Sequence, residues 1–494
     1  MNESTGALDD AMEPRRITAR WVIQGTLTLE SATHLRGEPR GAVDMPVLRH
    51  PLDGRPLLPG TTLAGALRSA LADRLAGYRT EPGEEAAQIA ALFGGARGDE
   101  MGSQSPLVAF DSLGELPEGF QVEIRDGVAI DPEWGVAEAH KKFDFEVLPA
   151  GTRFPARVDL VLPSPDGYSE QELLALLAAA LDAFSDGEVN LGARRARGLG
   201  KVSASWRAKR FDLTTPGGWM EWLLSEHENP VGEGSDFQGA LEAIRAACPE
   251  GLTVGEYHSD RRQRIVIEVE TTPEHDVLVR SPGRRAEGPD VSHLQSSGRP
   301  VLPGTSVAGA LRAQALRIAR LVRADHKDGD LWVERLFGPR PKEGGGEAKL
   351  VASRLRVAEV FLEGSHPAVQ TRIALDRFTQ EVVQGALFQE ETQVGGRACL
   401  RLELLNPKEG ELGLVLLVLK DLLHGRVAIG GSSAVGRGWV TGTAQVTLAD
   451  RRVALLEPSK PPRGEAAEEV DRAIRAFHEA GRLVKDQEEG IRCA

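Results

Sequence analysis

The phrase LPGTTLAGALR begins at Leu58 and returns as LPGTSVAGALR at Leu302, 244 positions later in a chain of 494 residues. Other landmarks keep step with it. LFG at Leu92–Gly94 recurs at Leu336–Gly338 with the same offset. AIDPEWGVAEAHKKFDFEVLPAG (Ala129–Gly151) aligns with ALDRFTQEVVQGALFQEETQVGG (Ala374–Gly396) at offset 245, matching Asp131 with Asp376, Phe143 with Phe388 and Glu146 with Glu391. LGARRARGLGKV (Leu191–Val202) aligns with IGGSSAVGRGWV (Ile429–Val440) at offset 238. Ordered landmarks whose spacing drifts by only a few residues mark a duplicated domain, which restricts the chain to two related folds in tandem.

Both halves repeat one pattern of elements. RITARWVIQGTLTLE and RQRIVIEVE alternate polar and apolar residues as strands do. A loop then leads to Pro59-Gly60 or Pro303-Gly304, a turn signal, with Thr61 or Thr305 expected to cap the helix that follows. Leu63, Leu67 and Leu71 in one copy, and Val307 and Leu311 in the other, recur at i+4 and give that helix an apolar face. Extended segments follow, then a second apolar helix (ELLALLAAALDAF, LGLVLLVLKDLLHG), a glycine-rich turn and a last strand. This order predicts an α+β protein of two ferredoxin-like, RRM-like domains with loop insertions. The expected boundaries are an N-terminal tail over 1–15, a first domain over 16–210, a partly helical connector over 211–262, a second domain over 263–447 and a tail with one helix over 448–494.

Composition narrows the setting. The apolar runs are shorter than the roughly 20 residues of a spanning helix, so no membrane partner is expected. Cys248, Cys399 and Cys493 show neither pairing nor metal spacing, as suits a reducing cytoplasm. A net charge of −14 argues against a surface that traps nucleic acid everywhere. Yet Ala193–Arg210 holds seven basic residues (Arg194, Arg195, Arg197, Lys201, Arg207, Lys209, Arg210) and no acidic one, a local stripe suited to phosphates. Within it Gly192, Gly198 and Gly200, like Gly430, Gly436 and Gly438, allow close backbone approach to a ligand. The second turn retains only Arg437. Arg68 and Arg312, equivalent on the first helices, are further candidate phosphate contacts. No Walker lysine, serine elbow or zinc signature accompanies these features.

Taken together, the PGT-S/T-x-AGALR helix start, the FDFEVLPAGTRF segment and the GARRARGLGKV loop resemble the RAMP superfamily. Each half is similar to the backbone subunit of type III CRISPR-Cas effector complexes, and the tandem arrangement resembles the fusions of subtype III-D. The resemblance implies binding of a guide RNA (crRNA), cleavage of a complementary target RNA near one loop aspartate per domain, and neighbouring effector subunits as partners. Those aspartates would be Asp44, 16 residues before Gly60, and Asp290, 14 before Gly304. A carboxylate there would hold Mg²⁺ or another divalent ion, or accept the 2′-hydroxyl proton. His34 and His275, near the ends of the opening strands, are further acid or base candidates. The resemblance is incomplete: Ala64 and Ala308 stand where many relatives have lysine, and the second copy lacks the proline and aromatics of FDFEVLP. A scaffold without cutting, or a guide-processing endoribonuclease, are the competing readings.

Overall fold

A computed structural model describes residues 17–39, 43–78, 87–95, 104–131, 134–163, 168–226, 231, 260–282, 288–323, 325–339, 352–448, 451–481, 483–486 and 490–493. The N-terminal tail and the connector's second helical patch, FQGALEAIRAAC, lie outside them.

The first domain runs β1 (Ala19–Leu29), α1 (Gly60–Ala76), α2 (Ala87–Phe93), β2 (Leu107–Ala109), β3 (Glu123–Ile130), β4 (Ala137–Val147), β5 (Arg153–Leu162), α3 (Glu170–Ser185) and β6 (Val202–Asp212). Its sheet is antiparallel in the order β2-β5-β1-β6. With β3 and β4 set aside as a separate hairpin, this is the 4-1-3-2 order of a ferredoxin-like sheet. The register explains the sequence alternation: Trp21 on β1 stands between Leu160 and Arg210, and Trp21, Ile23 and Leu27 all point into the core under α1 and α3. α3 is apolar on nearly every face because it is covered on nearly every face, and Ser169 and Glu172 close its N-terminus with a reciprocal capping box.

A helix, α4 (Pro216–Leu224), opens the connector. The second domain repeats the plan with β7 (Arg264–Pro273), α5 (Gly304–Val322), α6 (His326–Phe337), β8 (Leu355–Val357), β9 (His366–Leu375), β10 (Val382–Val394), β11 (Ala398–Leu405), α7 (Glu411–Leu423) and β12 (Trp439–Leu448). Its sheet follows the equivalent order, β8-β11-β7-β12. The segment read as a C-terminal tail joins this domain. Arg451–Leu456 pairs with β12, and α8 (Glu465–Glu479) buries Phe477 edge-on against Trp332, ring centroids 5.2 Å apart. Among the described residues no helix is long and apolar enough to cross a membrane.

The doubled phrase has a structural cause. Both helices begin at glycine, with Pro59 and Pro303 as extended caps whose carbonyls accept the first N–H groups. Thr61 and Thr305 therefore lie inside the first turn and do not cap. A Cβ on Gly60 would come within 2.2 Å of the Ala109 carbonyl, and one on Gly304 within 2.3 Å of that of Val357. Each helix start is pressed onto the end of a strand, and only glycine fits.

Burial also sets a pH dependence. His293 is enclosed in the second domain, with Nε2 3.0 Å from the Val301 carbonyl and Nδ1 3.2 Å from the Val279 N–H. Burial lowers its pKa to about 4. The unfolded chain binds this proton below about pH 6.5 and the native chain does not, so stability falls as pH drops from about 6.5 toward 4. Between pH 7 and pH 4.5 the wild type is expected to lose about 2–3 kcal/mol more than His293→Gln in urea unfolding. Equal losses would show that His293 is not the group responsible.

Candidate nucleic-acid interface

Each domain brings a loop aspartate beside its hairpin. After β1 the chain passes along the foot of β4, where Met45 forms a parallel bridge with Phe145. The Glu146 carboxylate fixes this passage: it accepts from the Val47 N–H at 2.9 Å and pairs with Arg49 at 3.0 Å. Asp44 and Asp144 are thereby set side by side. The Asp44 N–H donates to Asp144 Oδ1 (2.8 Å), and the Asp144 N–H donates to Asp44 Oδ2 (3.0 Å). The second domain repeats the arrangement: Val291 and Ser292 pair in parallel with Glu390 and Glu391, and Asp290 Oδ2 accepts from the Gln389 N–H at 2.8 Å. Asp44 and Asp290 are exposed and equivalent, but the partner of the first is a carboxylate and that of the second an amide. Sequence reasoning missed Asp144, although the offset of 245 already sets it against Gln389.

The histidines are not a matched pair. A Cβ on Gly192 would meet the His34 carbonyl at 2.4 Å, and one on Gly430 the Leu278 carbonyl at 2.5 Å, so Leu278 holds the place of His34. His34 is buried with Nδ1 2.7 Å from the Glu146 carbonyl, its Nε2 has no hydrogen-bond partner among the described residues, and burial pulls its pKa down. His275 is exposed near the end of β7.

The glycine-rich turns differ more than their sequences suggest. Arg194 and Ser432 share the left-handed conformation at the start of each turn. Arg194 lies over the rings of Phe143 and Phe145, at 4.7 and 4.5 Å. Where the first domain has Leu199 against Phe145, the second has Arg437 against Glu390. Arg437 is 1% exposed, and its guanidinium is divided among Glu390 (2.6 Å), Asp276 (3.0 Å) and Gln370 (2.6 Å). The expected phosphate contact at Arg437 is therefore corrected: this is an internal cation that braces the turn. Of the seven basic residues in the first stripe, Arg195 is the exposed one. Lys201 pairs with Glu30, Lys209 with Glu221 and Arg210 with Glu170. Arg68 and Arg312 are half-buried, and Arg312 donates to the Phe337 carbonyl at 3.5 Å.

Gly200 and Gly438 cross strands within their own domains, whereas Gly198 is pressed against the other domain. A Cβ there would lie 2.0 Å from the Glu359 nitrogen, while one on the equivalent Gly436 would meet none of the described residues within 4 Å. Around Gly198 the two domains lock together. Arg197 donates to the Phe337 carbonyl at 3.1 Å. Arg125, at the foot of the first hairpin, forms a two-pronged pair with Glu359, and the side chains are 4% and 3% exposed. Burial works against the Arg125 charge, and the Glu359 carboxylate more than offsets it, holding the guanidinium protonated.

The sequence of these two domains matches the RAMP superfamily over residues 26–203 and 281–441. The chain belongs to the RAMP superfamily. Within this RAMP chain an 85-residue stretch is 40% identical to the CRISPR system Cms endoribonuclease Csm3 of Mycobacterium tuberculosis, covering 15% of this chain and 36% of that relative. The match thus spans about a third of the relative's length.

Proposed function

We propose that this chain is the guide-RNA-binding backbone subunit of a type III CRISPR effector complex of antiviral defence, and that it cuts complementary target RNA at two positions, one per domain. The observation that carries this reading is the pair of exposed aspartates, each held by a backbone N–H of its hairpin at an equivalent place in two RAMP domains. RNA brings its own nucleophile. A protein that splays a nucleotide and sets its 2′-hydroxyl in line with the phosphorus gains chiefly through orientation. In each domain one carboxylate oxygen of the aspartate accepts from a backbone N–H of the hairpin, at 3.0 Å for Asp44 and 2.8 Å for Asp290, which restrains the side chain beside the hairpin. Both hairpins expose large apolar side chains, including Trp134 and Val136 in the first and Phe378 and Leu387 in the second, as expected of surfaces covered in an assembly.

Among the described residues no group of three or more acidic, histidine or cysteine side chains gathers to hold a metal ion. That suits Mg²⁺, which takes one or two carboxylates and fills its shell with phosphate oxygens and water. Asp44 with Asp144, and Asp290 alone, would hold such an ion, which supplies charge neutralisation at the phosphate. Arg195 and Arg68 remain the candidates for guide phosphates in the first domain, and Arg312 in the second.

The test is cleavage of a labelled complementary RNA by the reconstituted, guide-loaded complex, comparing wild type with Asp44→Ala and Asp290→Ala. Loss of a different product with each variant, with target binding intact, is the expected result. Product patterns identical to wild type would leave the chain a scaffold.

A further inference from the structure

The two aspartate loops share a second side chain. On its way out from the opening strand each loop carries one arginine among the described residues, Arg36 in the first domain and Arg280 in the second, 244 positions apart. Arg36 pairs with Val47 on the returning limb, and Arg280 with His293. The next residues repeat the match: the Leu48 N–H donates to the Leu35 carbonyl at 2.7 Å, and the Leu294 N–H to the Val279 carbonyl at 2.8 Å. Asp44 lies three residues before Val47, and Asp290 three before His293. From arginine to aspartate the second loop is nevertheless longer, ten residues against eight. The extra length is taken up at the tip, and the register keeps one arginine and one carboxylate at the same offset on the two limbs, about 10 Å apart along the loop.

Both arginines remain accessible. Arg280 donates to Ser432 Oγ at 3.1 Å and lies 3.4 Å from a Glu390 oxygen, yet its side chain is 59% exposed. Arg36 is exposed, and together with Arg194, which holds the place of Ser432, it stands close enough to His34 to disfavour a charge on that ring. Arg49 and Arg437, by contrast, are committed to Glu146 and Glu390.

We propose that Arg36 and Arg280 are catalytic residues, each holding the phosphate that its domain cuts. A carboxylate set beside an RNA phosphate is repelled by it, and attack on phosphorus adds charge to the non-bridging oxygens. The 2′-oxygen bonds to phosphorus as its proton passes to the aspartate, the bond from phosphorus to the 5′-oxygen breaks, and that oxygen takes a proton from water. A guanidinium aimed at the non-bridging oxygens offers two parallel N–H groups as this charge grows. The proposal rests on the reading that Asp44 and Asp290 cut RNA.

The test follows both cuts together, in single turnover, with the reconstituted guide-loaded complex, and Asp44→Ala and Asp290→Ala assign each cut to its domain. Arg36→Ala is expected to slow the first domain's cut by about 10²–10³-fold, as loss of one preorganised donor does, and to leave the second cut and target affinity at wild-type values. Arg280→Ala should do the reverse. Arg36→Lys keeps the charge without the fork and should recover at least about tenfold of the loss, whereas Arg36→Gln should recover none. Because the other cut proceeds in the same molecules, a folding defect would appear in both. A cut that Asp44→Ala abolishes and Arg36→Ala leaves unchanged overturns the proposal alone. Loss of both cuts with weakened guide or target binding also overturns it, making Arg36 a backbone grip away from the reaction. If neither aspartate variant removes a cut, the two-site reading itself falls and the proposal with it.

Discussion

Asp44→Ala is expected to suppress one of the two target-RNA cuts by about 10²–10⁴-fold while the other proceeds at the wild-type rate, the range set by losing a positioned proton acceptor or its ion. Asp290→Ala should do the same to the other cut. Each site is the internal control for folding, guide loading and target binding of its neighbour, so unequal loss cannot arise from a misfolded chain. The two sites are not expected to behave alike. Asp144 adds a second carboxylate beside Asp44, whereas Gln389 offers Asp290 none. An additional negative charge beside a dication lowers the ion concentration needed for half-maximal cutting by on the order of tenfold at an exposed site. As Mg²⁺ is lowered, the cut assigned to the second domain should disappear first. Asp144→Asn keeps an acceptor for the Asp44 N–H and removes the charge, and Gln389→Asp adds one. Together they should reverse the order in which the two cuts fade. If the order stays the same, Asp144 only shapes the loop.

Much of this was legible before any coordinates. The two-residue period of the opening strands, the i+4 leucines of α1 and the near-constant offset between copies specified two α+β domains, because each depends on local spacing. The loops of Asp44 and Asp290 were singled out by the resemblance, and their distances of 16 and 14 residues to the helix starts supported the pairing. What escaped was set by contacts between residues 47 or more positions apart. Gly198 reads as a place where a ligand approaches closely, and the close neighbour is the Glu359 backbone of the other domain. Arg437 reads as a free cation in a glycine turn, and it is enclosed because the second copy has Glu390 where the first has Phe145. A charge substituted opposite a charge preserves the packing, but neither residue alone reveals it. Asp144 had the same difficulty: it is one acidic residue among many until the parallel bridge at Met45 places it beside Asp44.

Arg125→Ala is expected to destabilise the joint between the domains by about 3–5 kcal/mol, since it strands the Glu359 carboxylate in a site from which water is excluded. Glu123 does not rescue it, because that carboxylate lies 3.6 Å from Arg125 and would add repulsion once the guanidinium is gone. Replacing both members with apolar residues, as in Arg125→Met with Glu359→Leu, should cost less than Arg125→Ala, because the Glu359 carboxylate is then no longer stranded and only Glu123 loses its cation. Chemical denaturation of Arg125→Ala, Glu359→Leu and the double variant measures these differences. The functional consequence follows from geometry. With the joint intact, Asp44 and Asp290 are held at one separation, and the proposed two-site cutting should then give products a fixed number of nucleotides apart. With Arg125→Ala each aspartate keeps its own hairpin, and cutting should persist at both sites while the spacing between products becomes heterogeneous. A sharp, wild-type spacing in that variant would mean that the guide RNA, and not the buried ion pair, measures the distance between the cuts.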